Sequence, residues 1–579
     1  MKLKNYTATV LALIISVFSW AQNAQQQKAD NLFNKFAFVQ ATNAYHNLIN
    51  QGINTDYATR QLADSYAYLR NPDSAVIYYE KAVKQNHVPI EYYYNYSQAL
   101  RGVGDYETSR TLMKQFKDAG GNIQEARYLK DSDFLNAIFN AKKQFTLKSV
   151  KFNSKFSEFG AYKHGDKIYF TSARDKGNIK KHINSWNEEP FLNIYAINAN
   201  SNDTLIGNKT KLKGPVNSIY HDGPLTITKD GKTMYFSRTN FIKNVLGGND
   251  NGISNLKIYK ATLVKGKWKN IEELPFNSNH FSNGHPALSE DETKLYFTSD
   301  RSGGHGGSDI YYVDINNGVF GKPKNLGSVV NTNKNEKFPF VNTEGVLFFS
   351  SDGHPGLGLL DIYGTVTDEN KIIVSVINLG TPVNSSKDDF SFFMDEDGLS
   401  GYLASNRKGG SGSDDIYAFE RNTKLKLEEP KSIKKVIPEN DSLTLTPNNG
   451  NETQGNDPKV VDFAPIYFNF NSASIRNQDK IALDNIINTM VNIYPNMTIA
   501  IESYSDARGP ETYNDKLSQK RATTTYEYLV SKGVNPIRIT SYKGFGEENL
   551  LNNCYSNTKC TEDQHQQNRR TQINVVKMN

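Results

Sequence analysis

The chain has 579 residues but only two cysteines, Cys554 and Cys560, three tryptophans and seven methionines. Two thiols cannot staple a scaffold of this length, and with His565 they leave a zinc site short of ligands, so no metal is expected. A close pair in a polar loop of an exported chain reads instead as a disulfide, which stabilises by about 2–3 kcal/mol by restricting the unfolded chain. Charge of one sign is also scarce. There are 67 Lys and Arg against 61 Asp and Glu, interspersed, for a net charge of +6. That is too even to form the basic face that nucleic acid requires, so no nucleic-acid partner is expected. Beyond the N-terminal segment no long apolar run occurs, which excludes a membrane-spanning helix in the processed chain. No Gly-x-Ser-x-Gly elbow, no His-Glu-x-x-His and no free reactive cysteine is present, and the histidines are few and scattered.

What is present starts with a targeting segment. Lys2 and Lys4 precede an apolar stretch from Val10 to Phe18, and Ser19-Trp20-Ala21 is a small-x-small cleavage site. Residues 1–21 therefore read as a signal peptide and the protein as exported to the periplasm. No cysteine follows the cleavage site to carry a lipid.

Residues 22–120 repeat with a period of 34, within a helical domain expected over 22–144. Ala29, Ala63 and Ser97 are small residues in register, as are Ala41, Ala75 and Ser109. Tyr45, Tyr79 and Met113 form a large apolar column, and Leu48, Ala82 and Phe116 another. Small residues let helices approach, and large ones fill the groove to the next pair. The spacing resembles that of tetratricopeptide repeats and implies an all-α solenoid, with a generic helical bundle as the alternative. Asn71-Pro72-Asp73 breaks one helix from the next, and the helical pattern from Ile123 to Lys143 would cap the stack.

From 145 to 420 the pattern becomes period-2 strands between Gly, Asn and Asp turns. A unit recurs five times: Asn153, Asn217, Asn277, Asn331 and Asn384 open it, a turn and a Tyr-Phe-type strand follow, and Ile-Tyr returns at Tyr195, Tyr259, Tyr311, Tyr363 and Tyr417. These units resemble WD40-like blades of the TolB type, most closely at His285-Pro286-Ala287-Leu288-Ser289-Glu290-Asp291 and Gly306-Gly307-Ser308-Asp309-Ile310-Tyr311. The resemblance implies an all-β five-bladed propeller, with a strand from Phe145 to Phe152 closing the ring. The glycine loop Ser302–Gly307 joins strand to strand, so it offers no helix N-terminus for a phosphate, and no cofactor is expected. Asp309, Asp361 and Asp415 more readily accept loop amides than bind calcium.

Residues 421–462 are charged or Asn/Gly-rich without apolar period and read as a flexible linker, whose ends as a coil would average roughly 35 Å apart. Residues 463–579 read β-α-β-α-β, with strands at Ile466–Phe470, Met497–Ser503, Ile537–Lys543 and Thr571–Val576, and helices at Gln478–Ile493 and Leu517–Lys532. Tyr467-Phe468-Asn469-Phe470-Asn471-Ser472, Ser503-Tyr504-Ser505-Asp506-Ala507-Arg508-Gly509, Asn514, Leu517-Ser518-Gln519-Lys520-Arg521-Ala522 and Asn568-Arg569-Arg570 closely resemble the OmpA/Pal peptidoglycan-binding domain, over about 110 residues. The resemblance implies that an α+β domain holds diaminopimelate of the stem peptide. Asp506 would take its ammonium and Arg521, placed in the first turns of a helix, its carboxylate. Asn514 would order the loop or touch the peptide, and Arg569 would support the pocket. The alternative is that Asp506 merely pairs with Arg521. The usual Gly-His-Thr-Asp is replaced by Ser503-Tyr504-Ser505-Asp506, which changes the loop's fine contacts but keeps both charges.

Together these features imply a non-enzymatic periplasmic anchor associated with the outer membrane. It would bind peptidoglycan at one end and, through repeats and blades, an outer-membrane or secretion/gliding-machinery protein. The domain order is similar to PorE-type proteins of the type IX secretion apparatus of Bacteroidetes, although residues 421–462 leave no room for the carboxypeptidase-regulatory-like domain those proteins carry. The alternative is a propeller-based or cell-wall hydrolase.

Overall fold

The computed structural model describes residues 24–121, 132–175, 183–199, 209–250, 252–427, 463, 465–494, 497–555, 558 and 560–577. The targeting segment, the first half of the helical stretch expected from Ile123, and all but the first residues of the expected linker lie outside these. The chain divides into two compact units, Met1–Pro438 and Glu439–Asn579.

The first unit begins with helices α1 (24–34), α2 (Phe38–Asn50), α3 (Thr55–Tyr68), α4 (Pro72–Ala82), α5 (Glu91–Val103) and α6 (Tyr106–Asp118), followed by α7 (Ser132–Asn140). From α2 to α6 each packs on the next. Their ends follow from local chemistry. The Asn71 side chain accepts Ser74 N–H at 3.0 Å and Pro72 needs no donor in the first turn. Asp105 caps α6 through Thr108 N–H at 3.1 Å, and Gly104, at φ +85°, closes α5. Every residue of the four repeat columns is buried. Two carboxylates recur in the same register: Asp30 accepts the hydroxyls of Tyr45 and Tyr57, and Asp64 those of Tyr79 and Tyr92. Each ties a helix to both helices that follow it. Burial raises Asp64 to about 6, against the pull of the two tyrosine hydroxyls.

Five antiparallel sheets follow. Their first strands are Glu158–His164, Asp222–Ile227, Asn283–Leu288, Glu336–Val341 and Asp389–Met394. These first strands adjoin in cyclic order, the fifth returning to the first. A separate apolar cluster fills each junction between neighbouring sheets; between fifth and first it joins Phe393, Tyr402 and Ile416 to Val150, Phe152 and Phe170. Thr146–Ser149, which precedes all five sheets in sequence, is the outer strand of the fifth, pairing Leu147 with Phe419. The five Ile-Tyr pairs occupy the third strand of their sheets, and the tyrosines are all buried.

Each first strand carries a bulge near its start with a residue at positive φ, the third residue in four sheets (Gly160, His285, Phe338 and Ser391) and the second, Gly223, in the second sheet. Three of the five are not glycine, so the conformation belongs to the architecture rather than to glycine's freedom. Around the centre of the sheets the rings of Phe159, His285, Phe338 and Phe390 lie in contact, with His285 stacked on Phe338 at 3.8 Å. Burial pushes His285 down to about 3.

The opening asparagines act alike. Each side chain accepts the N–H and donates to the C=O of the isoleucine before the repeat tyrosine: Asn153 on Ile416, Asn217 on Ile194, Asn277 on Ile258, Asn331 on Ile310 and Asn384 on Ile362. They satisfy backbone groups that would otherwise lack a neighbouring strand. Asp309 accepts the amides of His305 and Gly306, Asp361 that of Gly358, and Asp415 those of Ser411 and Gly412.

The helices pack against loops between second and third strands and against the connection leading into the fifth sheet. Arg101 donates to the Gly356 carbonyl, Asp73 pairs with Lys387 and Lys408, and Arg70 reaches Asp388 at 3.2 Å. Trp186 meets Phe38 edge-on at 4.7 Å. Gly102 is required here because a Cβ would sit 2.6 Å from the Pro72 ring.

The second unit is a four-stranded sheet in the order Ile466–Tyr467, Arg570–Lys577, Thr498–Ser503, Ile539–Gly544, the last pair parallel and the others antiparallel. Helices α8 (Asn477–Asn488, continuing as a π-turn over Thr489–Ile493) and α9 (Glu511–Ser531) supply Leu483, Ile486, Met490, Ala522 and Leu529 to its core, against Ile499, Ile501 and Ile573. Two boundaries differ from expectation. The first strand ends at Tyr467, because Phe468 keeps only one ladder bond, to Arg569 O. Helix α9 starts six residues early because Gly509, at φ +105°, and Pro510 turn the chain, and Pro510 O takes the first amides. A third helix, α10 (Glu562–Asn568), has no counterpart in the sequence reading. It begins with a Thr561/Gln564 capping box.

Candidate functional site: an ion network beneath the Asp506 loop

Early initiation of α9 puts Arg521 ten residues beyond its first residue, well inside the helix rather than in its first turns. There it is fully buried, and its guanidinium is spread over three backbone carbonyls: Ser472 O at 2.9 Å, Tyr504 O at 3.0 Å and Asn469 O at 3.2 Å. It thus ties the 469–472 segment and the loop bearing Asp506 to α9. Among the described residues no carboxylate forms an ion pair with it. Burial lowers Arg521 to about 10, the neighbouring Arg569 adds to this, and Asp506 opposes it only in part. This is a buried, under-compensated cation. Each terminal nitrogen makes one of these bonds and carries a second N–H.

Asp506 is buried too, and Arg521 is not its partner. Arg508 contacts its Oδ2 through Nη2 at 2.6 Å and Nε at 3.1 Å, and Arg569 contacts the same oxygen through Nη1 at 2.7 Å. Oδ1 accepts only a long bond, 3.4 Å, from Arg508 N–H. Burial pushes the Asp506 carboxyl up, but Arg508 and then Arg569 outweigh it and hold the group below the usual carboxylate range. Internal pairing of Asp506 with Arg521 is therefore not what this geometry shows.

The network extends outward to Glu562 at the start of α10. Arg508 Nη1 reaches its Oε2 at 2.7 Å, and Arg569 Nη2 its Oε1 at 2.8 Å. Two carboxylates and two guanidinia alternate. Asp506 and Arg569 form the buried half, and Arg508 and Glu562 the half that is about one-third exposed. Arg508 also lies over the Phe470 ring, 4.3 Å from its centre. Arg569 is fixed further by Phe468 O and Gln566. Asn514 is buried and donates at 2.7 Å to Glu547, which follows the strand Ile539–Gly544. Ser505 Oγ, next to Asp506, is buried with no partner.

The structure thus joins Asp506 to Arg569 directly, relates Arg521 to them through the Tyr504 carbonyl, and leaves Asn514 in a supporting position. Sequence reading missed Arg508 and Glu562. The signals were there: Arg508 lies inside the Asp-to-Gly turn, and Glu562 sits at the head of the capped helix. Cys554 and Cys560 are bonded at 2.06 Å in the loop before that helix.

The OmpA family model matches residues 467–564. Outer membrane protein A of Escherichia fergusonii is 33% identical over 96 residues, which are 16% of this chain and 39% of that protein. The chain thus spans well under half the length of such relatives. Of solved structures, the peptidoglycan-associated lipoprotein from Burkholderia pseudomallei is 27% identical and covers 19% of this chain and 88% of that one, at a TM-score of 0.18. An alpha-L-arabinofuranosidase from Lactobacillus brevis covers 48% of this chain and 90% of that one at 14% identity; its TM-score of 0.31 is too low to carry an argument. The motif residues and the family match together identify the C-terminal part of this chain as an OmpA-like domain.

Proposed function

We propose that this protein is a non-enzymatic anchor of the periplasm, associated with the outer membrane. In this reading its OmpA-like domain holds peptidoglycan by the zwitterionic head of diaminopimelate. Arg521 takes the ligand carboxylate with its remaining N–H groups, and Asp506 takes the ammonium. The observation that carries it is Arg521, a buried guanidinium held only by carbonyls beside a carboxylate with one oxygen nearly free. A fully buried cation without a counter-ion is costly and calls for one. The name of the relatives, outer membrane protein A, agrees with it.

The same reading takes the helical region as a tetratricopeptide solenoid and the five sheets as a five-bladed propeller. Cyclic adjacency of the first strands and closure by Thr146–Ser149 support this. Both would engage an outer-membrane or secretion/gliding protein, as in PorE-type proteins. No helix among the described residues is long and apolar enough to cross a membrane.

Incubation of the purified chain with peptidoglycan sacculi tests the proposal. Co-sedimentation without release of soluble muropeptides is expected. Release of muropeptides, or failure to sediment, would overturn it.

A further inference from the structure

The Asp506 carboxylate, which the proposed ligand needs, is held by Arg508. We propose that Arg508 is a built-in competitor for the ligand's ammonium: it must turn from Asp506 onto Glu562 before a zwitterionic head group docks, and it thereby sets the site's preference for zwitterions over simple amines. This rests on the peptidoglycan reading above and adds a specificity-determining residue to it.

The two arginines of the network differ in a way that makes only one of them movable. Arg569 is buried and held by Phe468 O, Asp506, Glu562 and Gln566 at once. Arg508 is one-third exposed and has two carboxylate partners, one on each side. Releasing Asp506 leaves it paired with Glu562 at 2.7 Å and stacked on Phe470, whose ring is itself half exposed. Its departure therefore costs part of its pairing, not all of it.

Charge balance gives the selectivity. Arg508, Arg569, Asp506 and Glu562 are neutral as a set. An ammonium entering beside Asp506 adds a positive charge to a pocket that already contains the uncompensated Arg521. A ligand that also brings a carboxylate to Arg521 leaves the net charge of the site unchanged, whereas a bare amine raises it by one. Removing Arg508 removes one positive charge, so the variant should accept both kinds of ligand more readily and discriminate less between them.

The experiment uses the full processed chain and its Arg508→Gln and Arg508→Ala variants. Calorimetric titration with meso-diaminopimelate is set beside cadaverine, the same chain without carboxylates. Circular dichroism melting checks that each variant is folded. Both variants are expected to bind meso-diaminopimelate about three- to tenfold more tightly than the parent, the size of part of a charge-assisted hydrogen bond, and to gain more on cadaverine. Arg508→Lys, which cannot make the two-pronged contact, should fall between parent and Arg508→Gln. If Arg508→Ala melts early, Arg508→Gln and Arg508→Lys decide. Variants that bind meso-diaminopimelate as the parent does, or more weakly, overturn the proposal: Arg508 would then position Asp506 or contact the ligand. A parent that binds sacculi while its variants weaken sinks this inference alone. A parent and variants that bind neither sacculi nor meso-diaminopimelate sink the peptidoglycan reading with it. Variants that bind where the parent is silent support the inference.

Discussion

Asn331 grips Ile310 at both ends of its peptide unit. Its side-chain oxygen accepts the Ile310 N–H at 2.8 Å and its side-chain nitrogen donates to the Ile310 carbonyl at 3.0 Å. Four other asparagines do the same for four other isoleucines, so one side chain per sheet replaces a piece of neighbouring strand.

Asn331→Ala should therefore leave the buried Ile310 N–H unpaired, while the Ile310 carbonyl keeps the Leu326 N–H at 3.2 Å. A loss of about 1–3 kcal/mol is expected, the cost of one unsatisfied buried group. Urea unfolding followed by tryptophan fluorescence reads this unit selectively, because Trp186 and Trp268 both lie in it. An unchanged midpoint would show that the clamp is dispensable.

Glu336 supports a pH prediction. In the first, second and fifth sheets the acid at this position meets an arginine: Glu158 with Arg174, Asp222 with Arg238, Asp389 with Arg407. In the fourth sheet the arginine's place is taken by His354, which contacts Val330 O, and Glu336 bonds only to Ser351 and Thr332. Burial raises Glu336 to about 8, with the hydrogen bonds from Ser351 and Thr332 opposing. A raised acid binds its proton more tightly in the folded state. Its contribution is fully present below the ordinary Glu range and is lost as pH rises toward 8. Glu336→Gln, which never ionises, should gain on the parent by up to about 1.4 kcal/mol per pH unit between roughly pH 5 and 8. Urea midpoints of the two proteins that stay parallel across this range would contradict it.

Ligand binding should fail at either charge. Asp506→Ala and Arg521→Ala are each expected to weaken sedimentation with peptidoglycan roughly tenfold to more than a hundredfold, because each leaves one ligand charge uncompensated. Arg521→Ala should also lower the melting temperature, since the Asn469, Ser472 and Tyr504 carbonyls lose their donor. Arg521→Lys should bind poorly, since an ammonium cannot reproduce the planar fork. Parent-like sedimentation of both alanine variants would remove this pocket from consideration.

Asp73→Lys addresses the seat of the helices on the sheets. It would place a third cation against Lys387 and Lys408, which Asp73 now pairs. Faster amide exchange around 385–388 and at the start of α4 is expected by mass spectrometry. Exchange rates equal to the parent's would mean that Arg70, Arg101 and the Trp186 contacts hold the seat alone.

Much of this was readable in the chain because it is periodic. The 34-residue columns, the five asparagines and the five Ile-Tyr pairs each mark one position in a local unit, and local units are fixed by backbone geometry. Asp506 and Arg569 were legible as motif residues for the same reason. Helix α9 was misread at its start because the apolar pattern begins only at Leu517, whereas the turn at Gly509-Pro510 begins the helix at Glu511. Moving the start moved Arg521 from the first turns of the helix to its buried interior.

The sequence by itself determined the order of elements and the repeat lengths, since these depend on neighbours along the chain. Tertiary structure alone decided who pairs with whom. Arg508 and Glu562 are 54 residues apart and Asp506 and Arg569 are 63 apart. Whether a guanidinium meets a carboxylate or only carbonyls depends on how far it is withdrawn from water and on what the sheet brings opposite it. No spacing rule carries that information, because a charge's partner is chosen through space, where burial makes an unmet charge costly.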